Sequence, residues 1–395
     1  MRLVLLSSLF HAYLGVRLLP AWGEQPLALG LLAALLIASA LLMPARMMAR
    51  RLRSARRAEL LSWAGFLFMG LFSSLFVLTL LRDAALLLAT LASLLLPIGP
   101  AMDAWSGASS RAVPLAAIGF TLWGLWNARR TAAVVEVEVP IRALPAALHG
   151  FRIAQISDVH VGPTIKRDYV DAIVQKVNRL EADMVAVTGD LVDGRVQDLA
   201  PHVAPLARLR SRHGTYFVTG NHEYYSGAAA WVNELRRLGL QVLLNEHVVL
   251  QHGGSRLVVA GVTDFSAHHF DPAQRSDPVR ALSGAPRDAD VRVLLAHQPR
   301  SAGAAQQAGY QLQLSGHTHG GQFWPWSFFV RFQQPFTAGL HRLHDLWVYT
   351  SRGTGYWGPP KRLFAPSEIT LLRLVPASDQ AQRNPGVPTR SPPVG

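Results

Sequence analysis

Met184–Asp190 reads MVAVTGD: a short apolar run, then Thr188 and Gly189, then a carboxylate. An apolar run of this length closed by a turn signal is consistent with a fully buried strand. The same pattern recurs along the chain. FRIAQISD (Phe151–Asp158) precedes it, and GTYFVTGNH (Gly214–His222), RLVVAGVTD (Arg256–Asp264), VRVLLAHQ (Val291–Gln298) and LQLSGHTH (Leu312–His319) follow. Asp168–Leu180 and Ala228–Leu238 carry the amphipathic spacing of helices. Alternating runs of this kind predict a layered α/β domain with buried strands. VVEVEVPI, from Val134, opens this region with a strand-like alternation, and Pro140 and Pro145 punctuate it. Farther on the helices thin out, leaving LWVYTSRG (Leu346–Gly353) and SEITLLRL (Ser367–Leu374) as strands.

The informative residues stand at the ends of these runs. Asp158 and His160, Asp190, Asn221 and His222, His297, and His317 with His319 can all hold a metal ion. Singly, each has an ordinary explanation: a strand-end Asp caps a helix, and a lone His sits on the surface or in the core. In open α/β sheets, however, a site lies beyond the carboxyl ends of the strands, so residues scattered in sequence converge there. Five strand ends bearing the same ligand chemistry point to one site. The chain has no cysteine. Disulfides, thiolate catalysis and Cys-ligated zinc are therefore excluded, and any metal must be held by His, Asp, Glu or Asn.

The order D-x-H, G-D-x-x-D, G-N-H-E, H, G-H-x-H resembles the calcineurin-like metallophosphoesterases. SDVHVGP, GDLVDG and GHTHGGQ look like the YkuE/YaeI-like branch of that family. The resemblance covers roughly 134–374 and implies a layered β-sandwich flanked by helices. It also implies two divalent ions: one on Asp158, His160, Asp190 and His319, the other on Asp190, Asn221, His297 and His317, with Asp190 shared. His222 would protonate the leaving oxygen, and Asp193 would orient His222; as a competing reading Asp193 caps a loop. Arg352, in SRGTGYWGPPKR, is a weaker substrate-binding candidate or a plain surface arginine. Hard-to-borderline donors suit manganese, iron or zinc and disfavour copper(I). Two such ions make hydroxide available near neutral pH for in-line attack on phosphorus.

The first 130 residues lie outside the resemblance and are dominated by Leu, Ala and Phe. Apolar runs at about 3–22, 27–45, 61–81, 84–102 and 113–128 approach the roughly 20 residues a membrane-crossing helix needs. His11 and Arg17 interrupt the first, and Pro97 and Pro100 the fourth. A cleaved signal peptide would account for one run and leave the others. The net charge of +13 raises the question of nucleic acid, but the soluble half has no continuous basic stripe. Six arginines crowd into RMMARRLRSARR, Arg46–Arg57, between two apolar runs. Such a cluster is a cytoplasmic loop facing anionic lipid.

The expected organisation is thus an all-α transmembrane region of four to five helices (1–130), a metallophosphoesterase domain (134–376) and a disordered tail (377–395). The expected function is that of a multi-pass membrane phosphohydrolase acting on a phosphodiester or pyrophosphate bond. Its substrate would be a small phosphorylated molecule or a lipid-linked one, with the bilayer as its partner, no nucleic acid and no obligate protein partner. A broad phosphomonoesterase and a catalytically dead membrane scaffold are the alternatives. With five spans, the Arg46–Arg57 loop places the catalytic domain outside the cytoplasm; Arg129 and Arg130 pull the other way. Finally, FWPWSFF, Phe323–Phe329, follows His319 at once. It reads either as core or as an apolar rim in which Trp324, Trp326 and Phe328 meet the bilayer. Pro325 argues against a regular strand there.

Overall fold

The computed structural model describes residues 2–52, 54–94 and 99–377. Two compact units divide the chain: Met1–Arg129 together with Gly358–Leu363, and Arg130–Trp357 together with Phe364 onward. The expected tail, 377–395, lies outside the described residues apart from Ala377.

The first unit contains α1 (Arg2–Leu18), α2 (Pro26–Ala45), α3 (Ala55–Ala92) and α4 (Gly99–Arg129). Leu14, Leu36, Leu71, Leu75 and Ala117 form its apolar core. Among the described residues, three helical stretches are long and apolar enough to cross a membrane: Arg2–Trp22, Pro26–Ala49 and Ala55–Ala92. The polar interruptions of the first run are satisfied internally, while Pro97 lies outside the described residues. His11 meets the hydroxyl of Ser39 at 2.8 Å and the carbonyl of Ser7 at 2.8 Å. Arg17 pairs with Asp83 at 2.8 Å, and Tyr13 donates to the same carboxylate at 2.7 Å. Polar groups inside a membrane bundle persist when paired in this way.

The run 84–102 does not form a helix of its own among the described residues: 84–92 belong to α3, 95–98 lie outside the described residues, and 99–102 open α4. Residues 84–92 continue α3 without a break, because Arg82 and Asp83 bond to each other at 2.8 Å along the helix rather than ending it. Gly358–Leu363 packs with these helices: Lys361 Nζ donates to the carbonyl of Gly70 at 2.9 Å and to the Ser74 hydroxyl, and Arg362 N donates to the carbonyl of Gly124 at 2.9 Å.

The second unit holds two six-stranded sheets. In chain order its elements are β1 (Ala133–Ile141), β2 (Arg152–Ile156), α5 (Arg167–Asn178), β3 (Met184–Val187), α6 (Val196–Val203), β4 (Thr215–Phe217), α7 (Asn221–Ser226), α8 (Ala228–Arg237), β5 (Gln241–Val242), β6 (Glu246–His252), β7 (Ser255–Gly261), α9 (Pro278–Ala281), β8 (Val291–Leu295), α10 (Ala302–Gln307), β9 (Leu312–Ser315), α11 (Ser327–Val330), β10 (Gly339–Leu343), β11 (Leu346–Thr350) and β12 (Glu368–Pro376). One sheet runs β1-β12-β2-β3-β4-β5, the other β10-β11-β9-β8-β7-β6. Ile153, Met184 and Tyr216 of the first meet Leu257, Val293 and Leu314 of the second in one core. Strands β2, β3 and β4 are mutually parallel, as are β7, β8 and β9. Central parallel strands buried on both faces need continuous apolar runs, which is why MVAV is buried at every residue. Helix α5 buries Val170, Ile173, Val174 and Val177, the spacing of one helical face. The parallel arrangement puts the ends of β2, β3, β4, β8 and β9 at one edge of the sandwich.

Candidate metal centre

The residues that follow those strand ends come together. Asp158, His160 and His319 form one buried group whose ligand atoms lie within 4.8 Å of one another; Asp190, His297 and His317 form a second. Asp190 reaches both, with Oδ2 3.2 Å from His297 Nε2 and 3.8 Å from His160 Nε2. His319 Nε2 lies 3.0 Å from His160 Nε2 and 3.4 Å from Asp158 Oδ1.

The backbone is bent to make this possible. Asp158, His160, Asp190, His317 and His319 all have positive φ, between 51° and 71°. Non-glycine residues rarely adopt that region, and such strain collects at functional sites. Two glycines allow the turns to touch. A Cβ on Gly316 would lie 2.1 Å from Asp158 Oδ2, and one on Gly220 would lie 2.2 Å from Asp190 Oδ1. Main-chain donors lock the turns together: His317 N bonds Asp158 Oδ1 at 2.9 Å, and His222 N bonds Asp190 Oδ1 at 2.8 Å.

The donor set fits divalent cations. His297 Nδ1 faces the carbonyl of Thr188 at 2.8 Å, so Nδ1 carries the hydrogen and Nε2 presents a lone pair. That lone pair faces Asp190 at 3.2 Å and His317 Nδ1 at 3.2 Å. His160 Nδ1 faces the Asp193 carboxylate at 3.1 Å, so its Nε2 lone pair likewise faces His319. The Asn221 side-chain oxygen is buried with no hydrogen-bond partner among the described residues. Acceptors crowded against acceptors require positive charge between them. Without a cation a proton has to serve. Burial disfavours charge on His297, but the Asp190 and Asp158 carboxylates outweigh it and raise its pKa well above the ordinary value. His317 is pushed down to about 3 by burial and by His297.

Asp193 and His222 flank this centre. His222 Nδ1 lies 2.5 Å from Asp193 Oδ1, and His222 Nε2 lies 4.0 Å from Asp190. Burial opposes charge on His222, yet the hydrogen bond to Asp193 and the Asp190 charge raise it to about 9. Asp193 also holds His160, so one carboxylate orients a metal-ligating candidate and the candidate proton donor together.

Arg352 stands beside the His319 turn without joining either group. Its stem packs against Gly320, where a Cβ would approach Arg352 Cγ to 2.9 Å, and its guanidinium lies 3.2 Å from buried Glu368. Glu223 was visible in GNHE but carried no assignment. It is fully buried and accepts from the backbone of Gly220 at 2.7 Å, Asp190 at 3.0 Å and Leu191 at 2.8 Å. Burial and the Asp190 charge raise its pKa to about 8.

The calcineurin-like phosphoesterase family profile matches residues 151–321, which include every one of these groups except Arg352 and its partner Glu368. A transmembrane protein with metallophosphoesterase domain from Bos taurus is 43% identical over 263 residues, 64% of this chain and 59% of that protein. An uncharacterized metallophosphoesterase of Helicobacter pylori is 38% identical over 267 residues, 66% of this chain and 69% of that protein. The uncharacterized metallophosphoesterase YkuE of Bacillus subtilis is 29% identical over 241 residues, 58% of this chain and 81% of YkuE. The match thus spans about three-fifths of the bovine relative. By this sequence identity and its two facing mixed sheets, with long apolar helices before them, the chain belongs to the calcineurin-like metallophosphoesterases, a family of metal-dependent phosphoesterases.

Proposed function

We propose that this protein is a membrane-anchored two-metal phosphohydrolase that cleaves a phosphodiester or pyrophosphate bond. The observation that carries the reading is the pair of buried donor triads with Asp190 in reach of both. Asp158, His160, Asp190 and His319 would hold one ion, and Asp190, Asn221, His297 and His317 the other. Their nitrogen and oxygen donors suit manganese, iron or zinc. When bound, such a pair supplies Lewis acidity toward phosphoryl oxygens and makes water nucleophilic near neutral pH. His222 holds a proton above neutral pH and presents it to the leaving oxygen, while Asp193 fixes the ring that carries it. Arg352, held by Glu368 at 3.2 Å, would bring its positive charge to the phosphoryl group.

A lipid-linked substrate is the second part of the proposal. Trp326, Phe328, Phe329 and Phe332 are 44%, 56%, 53% and 74% exposed, on and around the α11 turn that begins eight residues after His319. Tryptophan and phenylalanine clusters favour the lipid–water boundary. Were the three long apolar helical stretches all to cross, with the Arg46–Arg57 segment on the cytoplasmic face, the catalytic unit would lie on the extracytoplasmic side.

The test is turnover of the full chain in detergent with manganese, iron or zinc, on nucleotide diesters, lipid pyrophosphates and monoesters. Chelation abolishes activity, and diesters or pyrophosphates exceed monoesters. Asp190→Ala loses bound metal and activity together, because it removes a donor from both ions. His222→Ala keeps its metal and loses about 10²–10⁴-fold in kcat. A His222→Ala protein that arrives metal-free removes the proton-donor assignment.

A further inference from the structure

Aromatic rings border His222 on the solvent side. Tyr225 lies 5.3 Å from the imidazole, centroid to centroid, at 80°, and Trp357 lies 5.5 Å away at 75°. Neither ring serves the core: Tyr225 is 64% exposed and Trp357 54%. Phe270, 48% exposed, braces Tyr225 at 5.5 Å. Large apolar surface held open beside a polar centre marks a binding surface.

Both rings have fixed mounts. His222 and Tyr225 are three residues apart on α7, so they share a helical face. The Trp357 main chain is gripped by Gln322, which donates to its carbonyl at 2.9 Å and accepts from its N–H at 2.8 Å. Gln322 itself follows His319 by three residues, and its φ is 57°. Tyr225 is therefore carried by the helix that supplies His222, and Trp357 is held by the turn that supplies His317 and His319.

We propose that Tyr225 and Trp357, with Phe270 behind Tyr225, form the leaving-group subsite, and that it selects a leaving alcohol carrying a flat unsaturated ring. The proposal rests on the reading of His222 as proton donor. Donation requires the leaving oxygen within hydrogen-bond reach of His222 Nε2. Whatever that oxygen carries then lies against the rings bordering the imidazole. In the reaction the oxygen of water bonds to phosphorus, and the phosphorus–leaving-oxygen bond breaks with its electron pair going to that oxygen. The proton of His222 caps it as an alcohol, and the proton lost by water restores His222 through solvent. Edge-to-face and offset ring contacts are worth about twofold to tenfold per pair beyond the area they bury. A saturated ring of the same size gains the area and not the contact.

The experiment uses the full chain with manganese and three methyl phosphodiesters whose second alcohol is methyl, benzyl or cyclohexylmethyl. These alcohols are close in acidity, and each is measured as it is released. The expected result is a kcat/KM for benzyl about tenfold above that for cyclohexylmethyl. Trp357→Leu and Tyr225→Leu each lower that ratio by about twofold to tenfold, and Trp357→Phe keeps most of it. His222→Gln slows all three diesters and preserves the ratio. A wild-type ratio near one, or no turnover of the benzyl diester, overturns the subsite. Leucine variants that slow all three diesters equally also overturn it, because the rings are then structural. If His222→Gln leaves every rate unchanged, the proton-donor reading has failed instead, and the subsite falls with it.

Discussion

Asp193 receives two imidazoles on one oxygen, His222 at 2.5 Å and His160 at 3.1 Å. The charge of a carboxylate so placed decides the protonation of His222. A histidine lifted from 6.5 to about 9 lends stability that is fully present below pH 6.5 and lost as the pH climbs through 9. Asp193→Asn keeps an acceptor but removes the charge. The His222 titration in the metal-free full chain, followed by NMR of labelled histidine against a His222→Gln reference, should fall from about 9 toward 6.5. A midpoint unmoved by Asp193→Asn would show that another group holds the proton. The candidate donors that converge were legible, because each closes an apolar run whose strand character is readable. The double duty of Asp193 and the clamp made by Glu223 were not. Both depend on main-chain and side-chain atoms about 30 residues apart meeting in space, which no local pattern encodes.

At the scale of the element, α11 replaces the strand that FWPWSFF could have formed. Trp324 is half-buried, while Trp326, Phe328 and Phe329 are exposed, and Trp326 and Phe329 pair at 5.8 Å. Sequence alone left core and rim both open, since either uses large aromatics; Pro325 tipped the balance against a strand. Replacing Trp326, Phe328 and Phe329 with serine should lower the ratio of lipid-linked to water-soluble diester hydrolysis at least tenfold in mixed micelles. Each ring buried in lipid contributes roughly 1.5–3 kcal/mol. Equal loss on both substrates would mean that the aromatics hold the fold. The helical half was harder to read, for a physical reason. Arg82 and Asp83 look like a gap between two apolar runs, yet they lie within one helix of 38 residues and bond each other, and Asp83 also pairs with Arg17 of α1. Charge in an apolar run signals a break only when it has no partner inside the bundle.

For the whole molecule, the count of crossings sets the compartment. A reporter fused after Leu374 should be active outside the cytoplasm, and an impermeant thiol reagent should label an engineered cysteine there in intact cells. Labelling only after lysis would make α4 a fourth crossing and place the catalytic unit with Arg129 and Arg130 on the cytoplasmic side. The membership of Gly358–Leu363 in the helical unit bears on how the protein is made. Helices α1–α4 leave the ribosome first, and the segment that supplies Lys361 to Gly70 and Ser74 emerges about 230 residues later. At about 5–20 residues per second that is a wait of roughly ten to fifty seconds. During that interval α3 stands without the loop that its glycine face receives, so the helical unit is among the last parts of the protein to be finished. A nascent chain stalled before Gly358 would carry all four helices and still lack a completed unit.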